Sequence, residues 1–347
     1  MTSNTIISAL CKLGELMNSL GKKDDWPGFE IGITEDEFNS IDQIIQTVHH
    51  RNSWFTENYV RMAFASWGEL LTEQNLKNWI ASYSVKDCEH KIGIIMAGNL
   101  PLVGFHDLVS VILANQRALV KMSSDDNLLM PALLNVLYAH CPDLKNRIAL
   151  VDVLEDYDAV IATGSNNSSR YFEAYFGHVP HIIRKNRTSI GIVKKNTTDK
   201  ELKSLGKDIF SYYGLGCRNV TKVFFEQGFE LDRFFSAIYD YNGVVNMNKY
   251  ANNYDYHKAL FLMNKEEFLD NGFLLLKESE DDFSPVGVLN YEYYSSQEEL
   301  NLKIENRKGH TQCIVSAGDV PFGKSQHPQM TDYADGVDTL KFLTELN

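Results

Sequence analysis

The chain has 347 residues, of which 44% are apolar and 23% are charged. This length allows two domains with a buried core, and this composition excludes a disordered chain. The 33 basic and 46 acidic residues give a net charge of −13. Such a charge disfavours non-specific nucleic-acid binding, because that binding depends on Lys and Arg neutralising phosphates.

The cysteines are dispersed and odd in number, which predicts a reducing, cytoplasmic location rather than a disulfide framework. The sequence has no Cys-x-x-Cys pair and no Cys/His cluster at zinc spacing, so we expect no metal site. The first residues lack the features of a signal peptide. No run approaches the roughly 18 apolar residues that span a bilayer. The five cysteines are Cys11, Cys88, Cys141, Cys217 and Cys313.

The first 84 residues predict helices. Apolar residues from Ile6 to Leu20 recur at helical spacing. A helix on a membrane surface is one interpretation, but the polar face carries few cations, so a helix that packs on the protein is favoured. Thr34 followed by Glu37 is a capping-box pattern, which predicts the start of a second helix over residues 34–50.

From Lys91 onward, short apolar strands alternate with longer helical segments. Such alternation predicts βαβ units and a parallel sheet that is covered on both faces. The same texture continues after residue 190, which predicts a second α/β domain joined closely to the first. The predicted strands are 92–96, 118–121, 148–151, 158–162, 220–226, 272–277, 286–290 and 311–316. The predicted helices are 103–115, 126–140, one after residue 165, 198–212, 229–242 and 248–263.

Cys217 lies between a predicted helix and a predicted strand, in the stretch Tyr-Gly-Leu-Gly-Cys-Arg-Asn. Its glycine neighbours allow a tight turn that exposes the thiol, and Arg218 could favour the nucleophilic thiolate. An isolated cysteine is more often a small buried apolar residue. That second interpretation is the one that we assign to the other four cysteines.

Two further loops follow predicted strands, at the edge of a parallel sheet where ligands bind. The first carries Asn99, whose amide could donate a hydrogen bond to a developing oxyanion. The second is Thr163-Gly164-Ser165, where small residues before a helix could hold a phosphate. For the Asn99 loop taken alone an ordinary turn is the commoner explanation, and for the second loop an ordinary turn is an equally good one.

Taken in order, these segments resemble the aldehyde dehydrogenase superfamily, and more closely its LuxC-like fatty acyl-CoA reductase branch. The resemblance extends from about Lys91 to the C-terminus. Asp282–Val286 resembles the superfamily's Glu-x-Phe-Gly-Pro segment, with its acidic residue displaced or absent. Pro321–Lys324 and Asp332–Thr339 resemble the acyl-CoA reductase branch. The other matching segments are Asn99–Pro101, Ala118–Lys121, Ala162–Ser165 and Gly216–Cys217.

The resemblance implies an aldehyde dehydrogenase-like fold, in which a Rossmann-type cofactor domain precedes a second, catalytic α/β domain. It implies that Cys217 carries the acyl group as a thioester and that Asn99 binds the oxyanion. Lys121 would contact the adenosine ribose of NADPH or NADH. Thr163, Gly164 and Ser165 would lie beside the pyrophosphate.

Two departures from the superfamily pattern are informative. Aldehyde-oxidising members carry a Glu that activates the hydrolytic water, but the matching residues 186–192 contain no carboxylate. Exchange of the thioester with a thiol is therefore favoured over hydrolysis. Ser124 replaces a Glu that often binds the NAD ribose, which makes a 2′-phosphate, and hence NADPH, acceptable. Asp125 and Asp126 weaken that preference.

We therefore expect reduction of acyl-CoA, or another acyl thioester, to an aldehyde. The alternatives are aldehyde oxidation, reduction of an acyl phosphate, and a cofactor-free acyltransferase or thioesterase that uses Cys217. A non-catalytic binding protein fits poorly with Cys217 and Asn99 both being present. The expected domains are residues 1–190, which bind the cofactor, residues 191–323, which carry the nucleophile, and residues 324–347, which return to the first domain or contact another subunit. The sequence is compatible with a homodimer and leaves the oligomeric state open.

Two polar features allow more than one interpretation. His106 could donate a proton near the active face, although a histidine there more often packs on the following helix. Arg184, Lys185 and Arg187 could meet CoA phosphates, although a solvated charged turn is the commoner explanation.

Overall fold

A computed structural model describes residues 3–86 and 89–346. The chain divides into two compact units, one formed by the residues up to Lys185 and from Gln329 on, the other by Asn186–Pro328. The domain boundaries expected near residues 190 and 323 stay predictions, because contacts alone do not define a folding unit. Cys88 lies outside the described residues.

The first unit contains a five-stranded parallel sheet with the strand order β3-β2-β1-β4-β5. This order confirms the predicted Rossmann-type parallel-sheet fold, and binding of a cofactor to it stays a prediction. The strands are β1 Lys91–Ile95, β2 Arg117–Lys121, β3 Ile148–Leu150, β4 Ala159–Thr163 and β5 His181–Arg184. The helices are α1 Ser3–Lys22, α2 Glu35–Thr47, α3 Glu57–Leu70, α4 Glu73–Ile80, α5 Phe105–Leu113, α6 Leu129–His140, α7 Asn166–Phe176 and α12 Thr339–Thr344.

The N-terminal helices pack on this unit as the sequence predicts. The apolar face of α1, from Ile6 to Leu20, is buried in the core of the unit. At α2, the Thr34 hydroxyl accepts from Glu37 N–H, and the Glu37 carboxylate accepts from Thr34 N–H. The capping box is therefore confirmed. No helix within residues 3–86 and 89–346 is long and apolar enough to cross a membrane.

The second unit contains a six-stranded sheet with the order β11-β6-β7-β10-β9-β8, in which only the β8–β9 pair is antiparallel. Strand β7 has the predicted bounds. Strands β5 and β6 were missed, because β5 has only four residues, two of them polar, and three of the six residues of β6 are Thr, Ser and Gly. The strands are β6 Thr188–Val193, β7 Val220–Glu226, β8 Leu269–Asp270, β9 Leu275–Glu278, β10 Val288–Tyr294 and β11 Thr311–Val315. The helices are α8 Asp199–Phe210, α9 Leu231–Ala237, α10 Asn248–Asn264 and α11 Gln297–Glu305.

Arg184 corrects one expectation about the basic cluster. It lies in β5 and is only 4% exposed, so it belongs neither to a solvated turn nor to a surface that meets CoA phosphates. Its guanidinium forms two hydrogen bonds with the Asp107 carboxylate on α5, at 2.5 and 2.8 Å, and a third at 3.0 Å with Thr339 on α12. Lys185 is exposed beside Glu173, as in a solvated turn, and Arg187 donates to the Thr311 carbonyl.

His106 is a packing residue, although it lies within α5 and packs on other segments rather than on that helix. Its ring lies 4.9 Å from the Trp79 ring and 5.6 Å from the Tyr333 ring, measured between centroids. Its Nε2 lies 3.0 Å from the Met330 carbonyl oxygen. Since a carbonyl only accepts, Nε2 carries the hydrogen of this bond.

The Arg184–Asp107 pair allows a test of the first unit. Replacing Asp107 with Ala leaves the Arg184 charge buried, so we expect a loss of about 3–5 kcal/mol in the free energy of unfolding. The double variant Asp107→Leu/Arg184→Met removes both charges and should recover most of that loss. Urea unfolding of the three proteins measures both effects. A double variant as unstable as Asp107→Ala would contradict this account.

Candidate active site

The strand order of the first sheet reverses at β1, which pairs with β2 on one side and with β4 on the other. Ligands of open parallel sheets bind outside the carboxyl ends of the strands at such a reversal. The Asn99 loop follows β1 and the Thr163–Ser165 loop follows β4. Both predicted motifs therefore lie beside the crevice that the strand order creates. Lys121, opposite Ile95 at the end of β2, lies at the same edge.

The Asn99 loop is packed tightly although Asn99 itself is exposed. A Cβ at Gly98 would lie 2.4 Å from the Ser123 hydroxyl, so glycine allows the loops after β1 and β2 to touch. Leu102 closes the Asn99 loop in the left-handed region, with a φ of 61°. Its N–H donates to the Asp126 carboxylate at 2.8 Å. Side chains from the neighbouring loop therefore hold the Asn99 loop.

Lys121 and Ser124 occupy the edge predicted to meet the cofactor ribose. The Lys121 ammonium donates to the Asp152 carbonyl at 2.5 Å, which directs it along the end of β3. Ser124 is exposed in the turn that follows. Their contact with a cofactor stays a prediction.

The Thr163–Ser165 loop leads directly into α7. The Ser165 hydroxyl accepts from Ser168 N–H at 3.2 Å and so caps the helix. A Cβ at Gly164 would lie 2.9 Å from the Phe172 ring and from the Ser168 Cβ. Gly164 thus allows α7 to start close to the strand end. A helix N-terminus that lies beside a sheet reversal is suited to a pyrophosphate, so these residues fit a dinucleotide.

Cys217 belongs to the second unit, in a loop between α8 and β7, and its side chain is exposed. Tyr212, Tyr213 and Gly214 before it all have positive φ, at 51°, 58° and 80°. Two successive non-glycine residues in this region are strained. The surrounding structure must therefore hold the loop.

The buried side chain of Asn219 holds this loop, which sequence reasoning missed. Its Oδ1 accepts from Gly216 N–H at 2.8 Å. Its Nδ2 lies within hydrogen-bond distance of three carbonyl oxygens at the end of α8, those of Asp208, Ile209 and Ser211. One 0%-exposed amide therefore joins the helix end to the turn before Cys217. An Asn two residues after a Cys carries no recognisable signal in a single sequence.

Strand β6 contributes a hydroxyl rather than a carboxylate beside the Cys217 loop. Ser189, which is fully buried, donates to the Cys217 carbonyl oxygen at 3.0 Å. The same hydroxyl lies 3.1 Å from the Cys313 sulfur on β11. The segment 186–192, which contains no carboxylate, thus places a hydroxyl of β6 against the Cys217 loop.

The other described cysteines differ from Cys217. Burial raises the pKa of the Cys11 and Cys141 thiols, which favours the protonated form. Cys313 is half-buried. These environments suit structural thiols. The nucleophilic role of Cys217 stays a prediction.

The segment from Pro321 to Lys324 is anchored beside the Cys217 loop. The buried Asp208 carboxylate accepts from Gly323 N–H at 2.5 Å and from Ser325 N–H at 2.9 Å. Burial raises the pKa of Asp208, and these two N–H groups oppose the shift. Arg218 donates to the Ser325 carbonyl at 3.5 Å. The structure therefore brings two of the resembling segments together within one unit.

Comparison with known families gives one match. Residues 68–240, about half of the chain, match the model described as acyl-CoA reductase (LuxC). No curated protein matches the chain by sequence.

Solved aldehyde dehydrogenases share the fold. An aldehyde dehydrogenase from Bartonella henselae is 12% identical with a TM-score of 0.63, over 91% of this chain and 75% of that one. Aldehyde dehydrogenase 21 from Physcomitrella patens, solved with succinate, is 12% identical with a TM-score of 0.61, over 91% and 74%. The P. syringae indole-3-acetaldehyde dehydrogenase AldA, solved with NAD+ and IAA, is 11% identical with a TM-score of 0.60, over 90% and 72%. At these identities the likeness confirms the aldehyde dehydrogenase-like fold class.

Asn219 can be tested with two variants. Asn219→Ala leaves buried N–H and carbonyl groups without partners, so we expect a loss on the order of 3 kcal/mol in the free energy of unfolding. Asn219→Asp keeps the acceptor for Gly216 but turns a carboxylate toward three carbonyls. It should be the less stable variant at pH 8 and recover as acid protonates it. Urea unfolding at pH 8 and at acidic pH measures this difference. An Asn219→Ala protein within about 0.5 kcal/mol of wild type would refute the proposed holding of the loop by Asn219.

Proposed function

Because this chain belongs to the acyl-CoA reductase (LuxC) family, we propose that it reduces acyl-CoA, or another acyl thioester, to an aldehyde with NADPH or NADH. The observation that carries the proposal is the nucleophile loop. An exposed cysteine follows a strained turn that a buried amide holds, and the adjacent strand β6 offers a hydroxyl instead of a carboxylate.

The acyl group is transferred first. The Cys217 thiolate attacks the thioester carbonyl carbon, and the Asn99 amide and the Cys217 N–H stabilise the oxyanion. The bond from carbon to the CoA sulfur then breaks, and CoA leaves and takes up a proton. The product is an S-acyl cysteine. Covalent attachment holds the acyl carbon in place for the second step.

Reduction completes the reaction. When bound, the dinucleotide supplies the hydride that the acyl carbon accepts. One proton completes the thiohemiacetal on Cys217, and breaking of its carbon–sulfur bond releases the aldehyde and restores the thiol. Lys121 and Ser124 would hold the adenosine ribose, and Thr163, Gly164 and Ser165 the pyrophosphate. Ser124 is uncharged and exposed, so a 2′-phosphate meets no repulsion from this side chain.

The first prediction concerns Cys217. We expect wild-type protein to oxidise NADPH or NADH only when an acyl-CoA is present, and Cys217→Ala to show no acyl-CoA-dependent oxidation. Cys11→Ser, which changes a half-buried thiol on α1, is the matched control and should keep the wild-type rate. The measurement is cofactor absorbance with acyl-CoAs from short to long chains.

Other outcomes of that assay would replace the proposal. Cys217-dependent release of CoA without cofactor oxidation would indicate an acyltransferase or thioesterase. Activity with acyl phosphates alone, or NAD(P)+ reduction by aldehydes without CoA, would indicate the other superfamily reactions.

The second prediction concerns Asn99. Removing one oxyanion donor typically costs about 100-fold or more in turnover, so Asn99→Ala should lower kcat by about that factor. Dinucleotide binding, measured by fluorescence titration, should be unchanged and serves as the folding control. A loss of about tenfold or less in a well-folded variant would argue against an oxyanion role.

A further inference from the structure

Two buried side chains hold together the loops that carry Asn99 and Ser124. Asn52 is 7% exposed, and its amide lies within hydrogen-bond distance of the carbonyl oxygens of Gly98 and Asp125, at 3.3 and 3.5 Å. Asp126 is 8% exposed, and one of its carboxylate oxygens accepts from Leu102 N–H at 2.8 Å. The Asn99 loop is therefore held at both ends.

The bond to Leu102 falls where the backbone needs support. A leucine with a φ of 61° is in a region that side chains with a Cβ disfavour. Such a conformation persists only where surrounding contacts impose it. The Asp126 carboxylate supplies that contact through a charge-assisted hydrogen bond, which is stronger than a neutral one.

This carboxylate destabilises the fold near neutral pH. Burial raises the pKa of Asp126 to about 6, and Leu102 N–H only partly offsets the shift. The folded protein therefore takes up a proton between about pH 4 and pH 6 that the unfolded chain does not, so this group's contribution to stability falls as pH rises through that window. An asparagine could accept the same hydrogen bond without a buried charge. The second carboxylate oxygen of Asp126, Oδ1, has no hydrogen-bond partner among the described residues.

The charged groups around Asp126 do not neutralise it. Asp125 precedes it, and Lys121 donates to the Asp152 carbonyl. His49, His50 and Arg51 lie in the segment before Asn52, and the Asn99 loop from 97 to 102 has no charged residue. The pKa of Asp126 reflects burial and the Leu102 N–H alone.

We propose that Asp126 is a positioning residue for Asn99: by holding Leu102 N–H it fixes the left-handed turn that closes the Asn99 loop, and so sets where the Asn99 amide points. This inference rests on the proposed function, because it gives Asn99 the oxyanion role. Asp126 would also connect the Asn99 loop to the edge of the sheet where we expect the cofactor, since it belongs to the loop that carries Ser124.

A double-mutant cycle with Asn99 tests the proposal. Asp126→Ala should lower kcat about tenfold with the KM for NADPH within about twofold, and Asp126→Asn should restore kcat to within about threefold of wild type. When Asn99 is already Ala, Asp126→Ala should change kcat less than about twofold, because the positioned group is gone. Equal losses in both backgrounds, or an Asp126→Asn protein as slow as Asp126→Ala, would overturn the proposal. If Asp126→Ala does not fold, Asp126→Ser, whose side chain is too short to reach Leu102, takes its place.

A second readout does not depend on catalysis. Hydrogen exchange of the peptide that covers residues 97–104 should be slow in wild type and Asp126→Asn, and faster in Asp126→Ala. The control variant Asp125→Ala, which removes the neighbouring exposed carboxylate, should exchange like wild type. If the protein reduces no acyl-CoA, the proposed function fails, but unchanged exchange in Asp126→Ala would still refute, and faster exchange still support, the holding of the loop.

Discussion

Strand β1 must hydrogen-bond to β2 on one side and to β4 on the other, and the first unit depends on this double pairing. Because the chain leaves β1 toward β2 and β3 and later returns to the opposite side, the loops after β1 and β4 diverge. The resulting crevice is a property of the backbone topology, present before any side chain is considered. The residue types then determine what lines the crevice. Gly98 and Gly164 let neighbouring segments approach closely, and the loop after β1 carries Asn99.

The second unit exposes one thiol, that of Cys217, in a loop that follows a strained turn. Strain at Tyr212 and Tyr213 is offset by Asn219, which lies where the end of α8, the turn and the start of β7 meet. A single buried amide can satisfy groups on both sides because it donates and accepts. In the first unit the Asp126 carboxylate, which only accepts, holds the N–H of the left-handed Leu102. In both loops that we assign to catalysis, a buried polar side chain thus holds backbone groups of a left-handed or strained turn.

The sequence predicted what depends on local pattern. Strand β7, the capping box at Thr34 and the burial of the α1 apolar face follow from periodicity and cap chemistry, which act over a few residues. Strands β5 and β6 were missed because their small and polar residues form strands only through their neighbours in the sheets. The same limit applies to Arg184, which the local pattern places in a basic surface cluster with Lys185 and Arg187. Its partner Asp107 lies 77 residues earlier in the chain, and no local pattern connects the two.

Candidate site residues divide in the same way. Cys217, Asn99 and the Thr163–Ser165 turn stand out because their residue types suit chemistry at the ends of predicted elements. Asn219 and Asp126 do not stand out, because an Asn or Asp in a loop is ordinary until its burial is known. Their importance appears only when the backbone groups that they hold are counted.

Ser189 on β6 connects the fold to the choice of reaction. A carboxylate at this fully buried position would be costly to desolvate and, when charged, could not donate a hydrogen bond to the Cys217 carbonyl. A hydroxyl donates to that carbonyl instead and steadies the loop. It is too weak a base to activate water near neutral pH. In the reaction that we propose, an acyl group on Cys217 would therefore meet no water activated by the Ser189 hydroxyl, so the thioester would survive long enough for reduction or for return to CoA.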